Sequence, residues 1–92
     1  MQISRGFFMS YYVYILHSIS VDQYYIGSTG NIDARLLRHN NSGSKATKKA
    51  SDWRLVYCEV FVSRADAVQR ELELKRKKSR RYIEFLIGGS GR

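Results

Sequence analysis

The sequence predicts one small α/β domain of the α+β kind, with elements in the order strand, strand, helix, strand, helix, helix. Length is the first reason: 92 residues can bury one hydrophobic core and not two. Second, two aromatic and β-branched runs stand close together near the start of the chain and a third follows in its middle. Third, apolar residues recur at helical spacing behind N-capping residues in three later segments. The composition supports a packed domain, since 43% hydrophobic and 13% aromatic residues supply apolar surface that a disordered chain lacks.

Residues 1–9 read as an N-terminal extension and residues 10–87 as the domain. Tyr11-Tyr12-Val13-Tyr14-Ile15-Leu16-His17 is a strand by composition, and Tyr24-Tyr25-Ile26-Gly27-Ser28 follows a polar stretch centred on Asp22, so the two predict an antiparallel hairpin. Thr29, Gly30 and Asn31 supply turn and N-cap chemistry, and Ile32, Leu36 and Leu37 predict a helix from about Ile32 to Asn40. Residues 41–52 lack apolar periodicity and carry Lys45, Lys48 and Lys49, which predicts an exposed cationic loop able to contact phosphates or simply to solubilise.

Trp53 introduces a third strand through Phe61. Ser63 and Asp66 then have the spacing of a capping box, predicting a helix to about Lys77 with an apolar stripe at Ala65, Val68 and Leu72. Ser79 is placed to cap a last helix that turns Tyr82, Ile83, Leu86 and Ile87 inward, leaving 88–92 as a flexible tail.

Sixteen Lys and Arg against eight Asp and Glu give a formal net charge of +8 and a pI near 9.9, favouring a polyanionic partner through counterion release. Charge alone does not separate a nuclease from other basic nucleic-acid-binding proteins. The lone Cys58 excludes an intrachain disulfide and a cysteine-based zinc site; its apolar neighbours predict a buried thiol, and with it a reduced, cytoplasmic setting. No run approaches the roughly 18–20 apolar residues of a membrane helix, and Met1–Gly6 lacks the features of a signal peptide.

Arg35 and His39 lie four residues apart and share a helix face, with Arg38 close by. Glu71 falls among Ala67, Val68 and Leu72, which sets a carboxylate at the margin of a packed face, where an unpaired charge is costly. A metal ion or a cation would relieve that cost, whereas Glu73 can pair with Lys77 on another face. Each residue also has a plain reading: Arg35 as a surface residue, His39 at a helix C-terminus, Glu71 paired with Arg70, Lys75 or Arg38. The basic stretch Lys75–Arg81 reads either as a solvated helix face or as a binding stripe.

Taken together, the motifs resemble the GIY-YIG nuclease superfamily. Val13-Tyr14 and Tyr25-Ile26-Gly27 look like its paired motifs, with Tyr12 standing where the first has glycine; Arg35, His39-Asn40, Trp53 and Arg70-Glu71 follow in order. The resemblance spans residues 11–87 and is closest to the short single-domain bacterial, UPF0213-like members and to the nuclease domain of structure-selective endonucleases.

It implies a small sandwich with a central three-stranded antiparallel sheet flanked by helices. It implies a metal-dependent endonuclease hydrolysing phosphodiesters, DNA rather than RNA, in repair or recombination. Carried over, Tyr14 or Tyr25 would position or deprotonate the attacking water, Arg35 would stabilise the phosphoryl oxygens, His39 would assist proton transfer and Glu71 would hold one divalent ion, Mg2+ or alternatively Mn2+. Arg38, Lys45, Lys48 and Lys49 would grip the nucleic acid. The expected assembly is a monomer or weak dimer, with a protein partner for substrate choice. The rival is a module of the same fold that binds nucleic acid and cleaves little or nothing.

Overall fold

The computed structural model describes residues 10–41 and 43–89. Strand β1 (Tyr11–Ser18) pairs antiparallel with β2 (Gln23–Thr29) and, on its other edge, with β3 (Trp53–Phe61), giving the sheet order β2-β1-β3. Helix α1 (Ile32–Asn40) precedes β3, and α2 (Arg64–Lys77) and α3 (Arg80–Gly89) follow it. This is the expected α+β order around a three-stranded antiparallel sheet. The extension at 1–9 lies outside the described residues, as do 90–92; Gly88 and Gly89, expected in the tail, continue α3.

β1 is central because it alone is apolar on both faces. Val13 and Ile15 point one way, into a core with Ala67, Leu74 and Leu86 of α2 and α3. Tyr14 and Leu16 point the other way, packing with Trp53 and with Ile32 and Leu36 of α1. All four β1 residues are at most 1% exposed, each burial contributing about 1.5–3 kcal/mol. Ile15→Ala would cost about 2–5 kcal/mol.

The hairpin turn places Asp22 at φ 50, a left-handed conformation that Asp tolerates better than most residues. Asp52 anchors the turn from across the sheet, its carboxylate accepting from the Ser18 hydroxyl at 2.5 Å and from the Ser20 backbone N–H at 2.9 Å.

A bulge in β3 decides one face of the core. Tyr57 lies opposite Ile15 and Leu55 opposite Leu16, so Val56 is the extra residue. Beyond it the alternation of β3 is reversed, and Trp53, opposite Ser18, turns onto the α1 face. Asn40 at the end of α1 fastens that point: its side chain accepts from the Trp53 N–H at 2.7 Å and donates to the Trp53 carbonyl at 3.0 Å.

Two expectations, for Cys58 and for the apolar stripe of α2, are corrected here. Cys58 is exposed: it lies opposite Tyr14 on the edge strand β3, which has a neighbouring strand on one side only. Leu37 is likewise 65% exposed, because the buried side of α1 is Ile32, Leu36 and His39. On α2 the buried positions are Ala67 and Leu74, while Val68 and Leu72 are 38% and 47% exposed and Ala65 is exposed too. The helix is rotated from the expected stripe because its short Ala67 side chain lets it close onto the sheet, with Glu71 between Ala67 and Leu74 on the inward face.

The capping residues behave as their spacing predicts. Asn31, Ser63 and Ser79 accept from the backbone N–H of Ala34, Asp66 and Tyr82 at 3.0–3.1 Å. Glu73 pairs with Arg70 at 3.0 Å rather than with Lys77. Arg70 also makes two parallel bonds to Glu59 of β3, at 2.9 and 3.0 Å, and so clamps α2 to the sheet. Among the described residues no helix is long and apolar enough to cross a membrane.

Candidate functional site

The site is built where β1, β2 and α1 meet. Gly27 of β2 lies opposite Tyr14, and a Cβ added at Gly27 would stand 2.5 Å from the Tyr14 hydroxyl and 2.7 Å from Cζ. Glycine is therefore required so that the Tyr14 ring can lie across β2 with its hydroxyl over Gly27. There Tyr14 Oη is 2.9 Å from Nε2 of His39. The other ring nitrogen, Nδ1, is 2.8 Å from Oγ1 of Thr47.

Tyr14, His39 and Thr47 are each at most 2% exposed, so bulk solvent does not compete for these hydrogen bonds. Tyr25 packs on the imidazole, ring centroids 4.7 Å apart. A depression of about 330 Å³ opens above these groups, lined by Tyr25, Arg35, Arg38, His39, Gly43 and Ser44.

The electrostatics keep both central groups neutral. Burial pushes the Tyr14 phenol up to about 12, with Tyr25 and the Glu71 charge acting the same way and Arg35 opposing them. Burial also lowers the His39 imidazole, and the nearby positive charges of Arg35 and Arg38 lower it further. For Tyr14, loss of hydration outweighs the facing arginine, so the phenol is not a ready base.

Glu71 approaches from the other layer. It reaches β2 at Ser28, next to Gly27, where its Oε1 accepts from the Ser28 hydroxyl at 2.6 Å; Oε2 holds the Lys75 ammonium at 2.6 Å. Its side chain is 16% exposed, and it does not line the Arg35 depression. Lys75, one of the plain partners considered for Glu71, is therefore its partner in fact, while Arg70 is engaged elsewhere.

The fold groups Tyr14, Tyr25, Arg35, Arg38 and His39 at one place, with Glu71 one β2 residue away. Lys45, Lys48 and Lys49 lie exposed on the 41–52 loop and do not line the depression; Lys49 bonds the Gln23 side chain. The sequence reading missed Thr47, because a threonine in a polar loop looks like solvent-facing chain. Here it is fully buried, its carbonyl accepting from the Trp53 indole N–H at 2.8 Å. The nearby indole was the only signal that this loop turns inward.

Among the described residues no three His, Cys, Asp or Glu side chains converge, so a closed protein cage is not what this site offers. Glu71 is the carboxylate nearest the site, and its Oε2 is taken by the Lys75 ammonium. A hard ion such as Mg2+ keeps several waters and takes one or two carboxylates plus substrate phosphates.

Residues 10–83 match the family described as the GIY-YIG catalytic domain. The chain belongs to that family. It is 41% identical over 66 residues to a UPF0213 protein of Staphylococcus haemolyticus, covering 71% of this chain and 79% of that one. It is 38% identical over 76 residues to a UPF0213 protein of Streptococcus pneumoniae, covering 82% and 76%. A UPF0213 protein of Bacillus halodurans, solved by solution NMR, shares the fold at a TM-score of 0.53 and 32% identity over 88% of this chain and 89% of that one. The chain is thus a short GIY-YIG domain of the UPF0213 type.

Proposed function

We propose that this GIY-YIG domain is an endonuclease that hydrolyses DNA phosphodiester bonds with a divalent ion, Mg2+ or Mn2+, held at Glu71. The observation that carries the reading is the Tyr14 hydroxyl on neutral His39, beneath a depression lined by Arg35 and Tyr25.

Phosphodiester hydrolysis needs an activated water, charge stabilisation on the phosphoryl oxygens and a route for the proton. With its pKa near 12, Tyr14 is a phenol at neutral pH and not a standing base. It serves as a relay: as water attacks, its proton passes to Tyr14 Oη while the phenol's own proton passes to His39 Nε2. This requires the Nδ1–H tautomer of His39, and Thr47 Oγ1 is the acceptor that selects it. The lowered pKa keeps His39 unprotonated and ready at pH 7. Arg35 neutralises the charge gathering on the phosphoryl oxygens, and Tyr25 packs the imidazole in place. Glu71 would hold the divalent ion, which when bound would supply positive charge to the phosphate.

The experiment is Mg2+-dependent nicking of supercoiled plasmid. Arg35→Ala and Glu71→Ala are each expected to remove nicking while leaving Tm within a few degrees. Wild-type nicking by both variants sinks the reading. A second reading, a binding module that does not cleave, draws on the Lys75 ammonium already satisfying Glu71; tight, salt-sensitive DNA binding without metal-dependent nicking would favour it. A role in DNA repair or recombination fits a nuclease with so little surface for sequence readout.

A further inference from the structure

We propose that the groove between β2 and the α2–α3 joint binds the phosphodiester strand of the substrate as it leaves the cleavage site, with Lys78 as its phosphate contact. The proposal rests on the nuclease reading and adds a second binding surface to it. The groove, about 480 Å³, has an apolar floor at Ile26, Leu74 and Ile83 and a cationic wall at Lys75, Lys78 and Arg80. Tyr25 lines both this groove and the Arg35 depression. The two hollows therefore adjoin at Tyr25 from opposite faces of β2, an open edge of the sheet, and a strand held at Arg35 and Arg38 can pass around that edge into the groove.

The charges in the groove are unequal. Lys75 is held by Glu71, and Arg80 by Asp22 at 2.7 Å and Glu84 at 3.0 Å. Among the described residues the Lys78 ammonium meets no carboxylate. Its backbone is left-handed, φ 46, at the C-cap of α2, a position where Gly or Asn is the comfortable choice. The next helix opens with Arg80 and Arg81 and has no acidic residue in its first turn, the reverse of what the helix dipole prefers. The joint thus carries positive potential, part of it matched to the C-terminal dipole of α2 and part, at Arg80 and Arg81, set against the dipole of α3, beside a floor suited to the apolar faces of a base or sugar. A phosphodiester strand combines both chemistries.

The test uses the full chain and a fluorescein-labelled single-stranded DNA of about ten nucleotides, a length within the usual single-strand site range. Binding is followed by anisotropy across a salt series. Lys78→Asn removes the charge and suits the left-handed backbone, so it folds; Lys78→Arg keeps the charge; Arg54→Gln removes a cation from β3, the far edge. Lys78→Asn is expected to lower the salt slope by about 0.7, weakening binding about fivefold at 0.1 M salt. Lys78→Arg and Arg54→Gln are expected to bind as the wild type does. An unchanged slope for Lys78→Asn, or an equal drop for Arg54→Gln, overturns the groove. Nicking is run alongside: a wild type that never nicks while the Lys78 effect holds removes the nuclease reading and leaves the groove standing.

Discussion

Replacing Thr47 by Val tests the proton relay at its least obvious member. The two side chains are nearly the same shape, so the substitution opens no sizeable cavity and removes only the hydroxyl 2.8 Å from His39 Nδ1. Because His39 is 2% exposed, water does not replace the lost partner. An unsatisfied buried polar group costs about 1–3 kcal/mol. For stability this means a Tm lower by about 4–8 °C per kcal/mol in a domain of this size. The same penalty falls on the Nδ1–H tautomer and on the imidazolium formed during the reaction, so the nicking rate falls about 5- to 150-fold.

The assay is plasmid nicking at several pH values, well below the Tm of the variant. A merely structural Thr47 would change Tm and leave the shape of the pH–rate profile alone. The relay predicts that the acid limb, set by His39, moves, and that Thr47→Ser restores both rate and profile. A Thr47→Val variant with the wild-type rate and profile would refute the reasoning.

Three further outcomes are expected. Gly27→Ala places a methyl against the Tyr14 hydroxyl and should cost about 1–3 kcal/mol by overpacking; nicking should fall further than that stability loss accounts for, and a variant with wild-type nicking would separate the glycine from the site. Arg70→Ala breaks the partly exposed clamp to Glu59, whose carboxyl Arg70 holds below its usual range. Discounted for solvent, it should lower stability by about 1–2 kcal/mol with nicking intact below Tm, measured by urea unfolding. On acidification from pH 7 to 5 the unfolded chain gains a proton at this histidine near 6.5, before folded His39 does, so stability should fall with pH in that window. His39→Gln should flatten the loss as read by Tm, and an equally steep Tm profile would assign it elsewhere.

The order of elements was legible because it rests on local signals. The β-branched and aromatic run of β1 and the caps at Asn31, Ser63 and Ser79 each act within a few residues of themselves, and all behave as their spacing predicts. Arg35 and His39 were legible as a pair because a helix fixes side chains four residues apart on one face. The apolar stripe of α2 was misread by one position, since Ala65, Val68 and Leu72 fit the period as well as Ala67 and Leu74 do. Only packing against the sheet chooses between them.

The sequence by itself thus determined the succession of strands and helices, the basic character of the chain and its family motifs, because those properties are carried by neighbouring residues and by composition. Tertiary structure alone decided which residues act together. The β3 bulge turned Trp53 onto the α1 face, its indole caught the 41–52 loop, and that brought Thr47 against His39. It also decided the protonation states, because the phenol of Tyr14 and the imidazole of His39 are held neutral chiefly by burial, and burial belongs to no single segment of the chain.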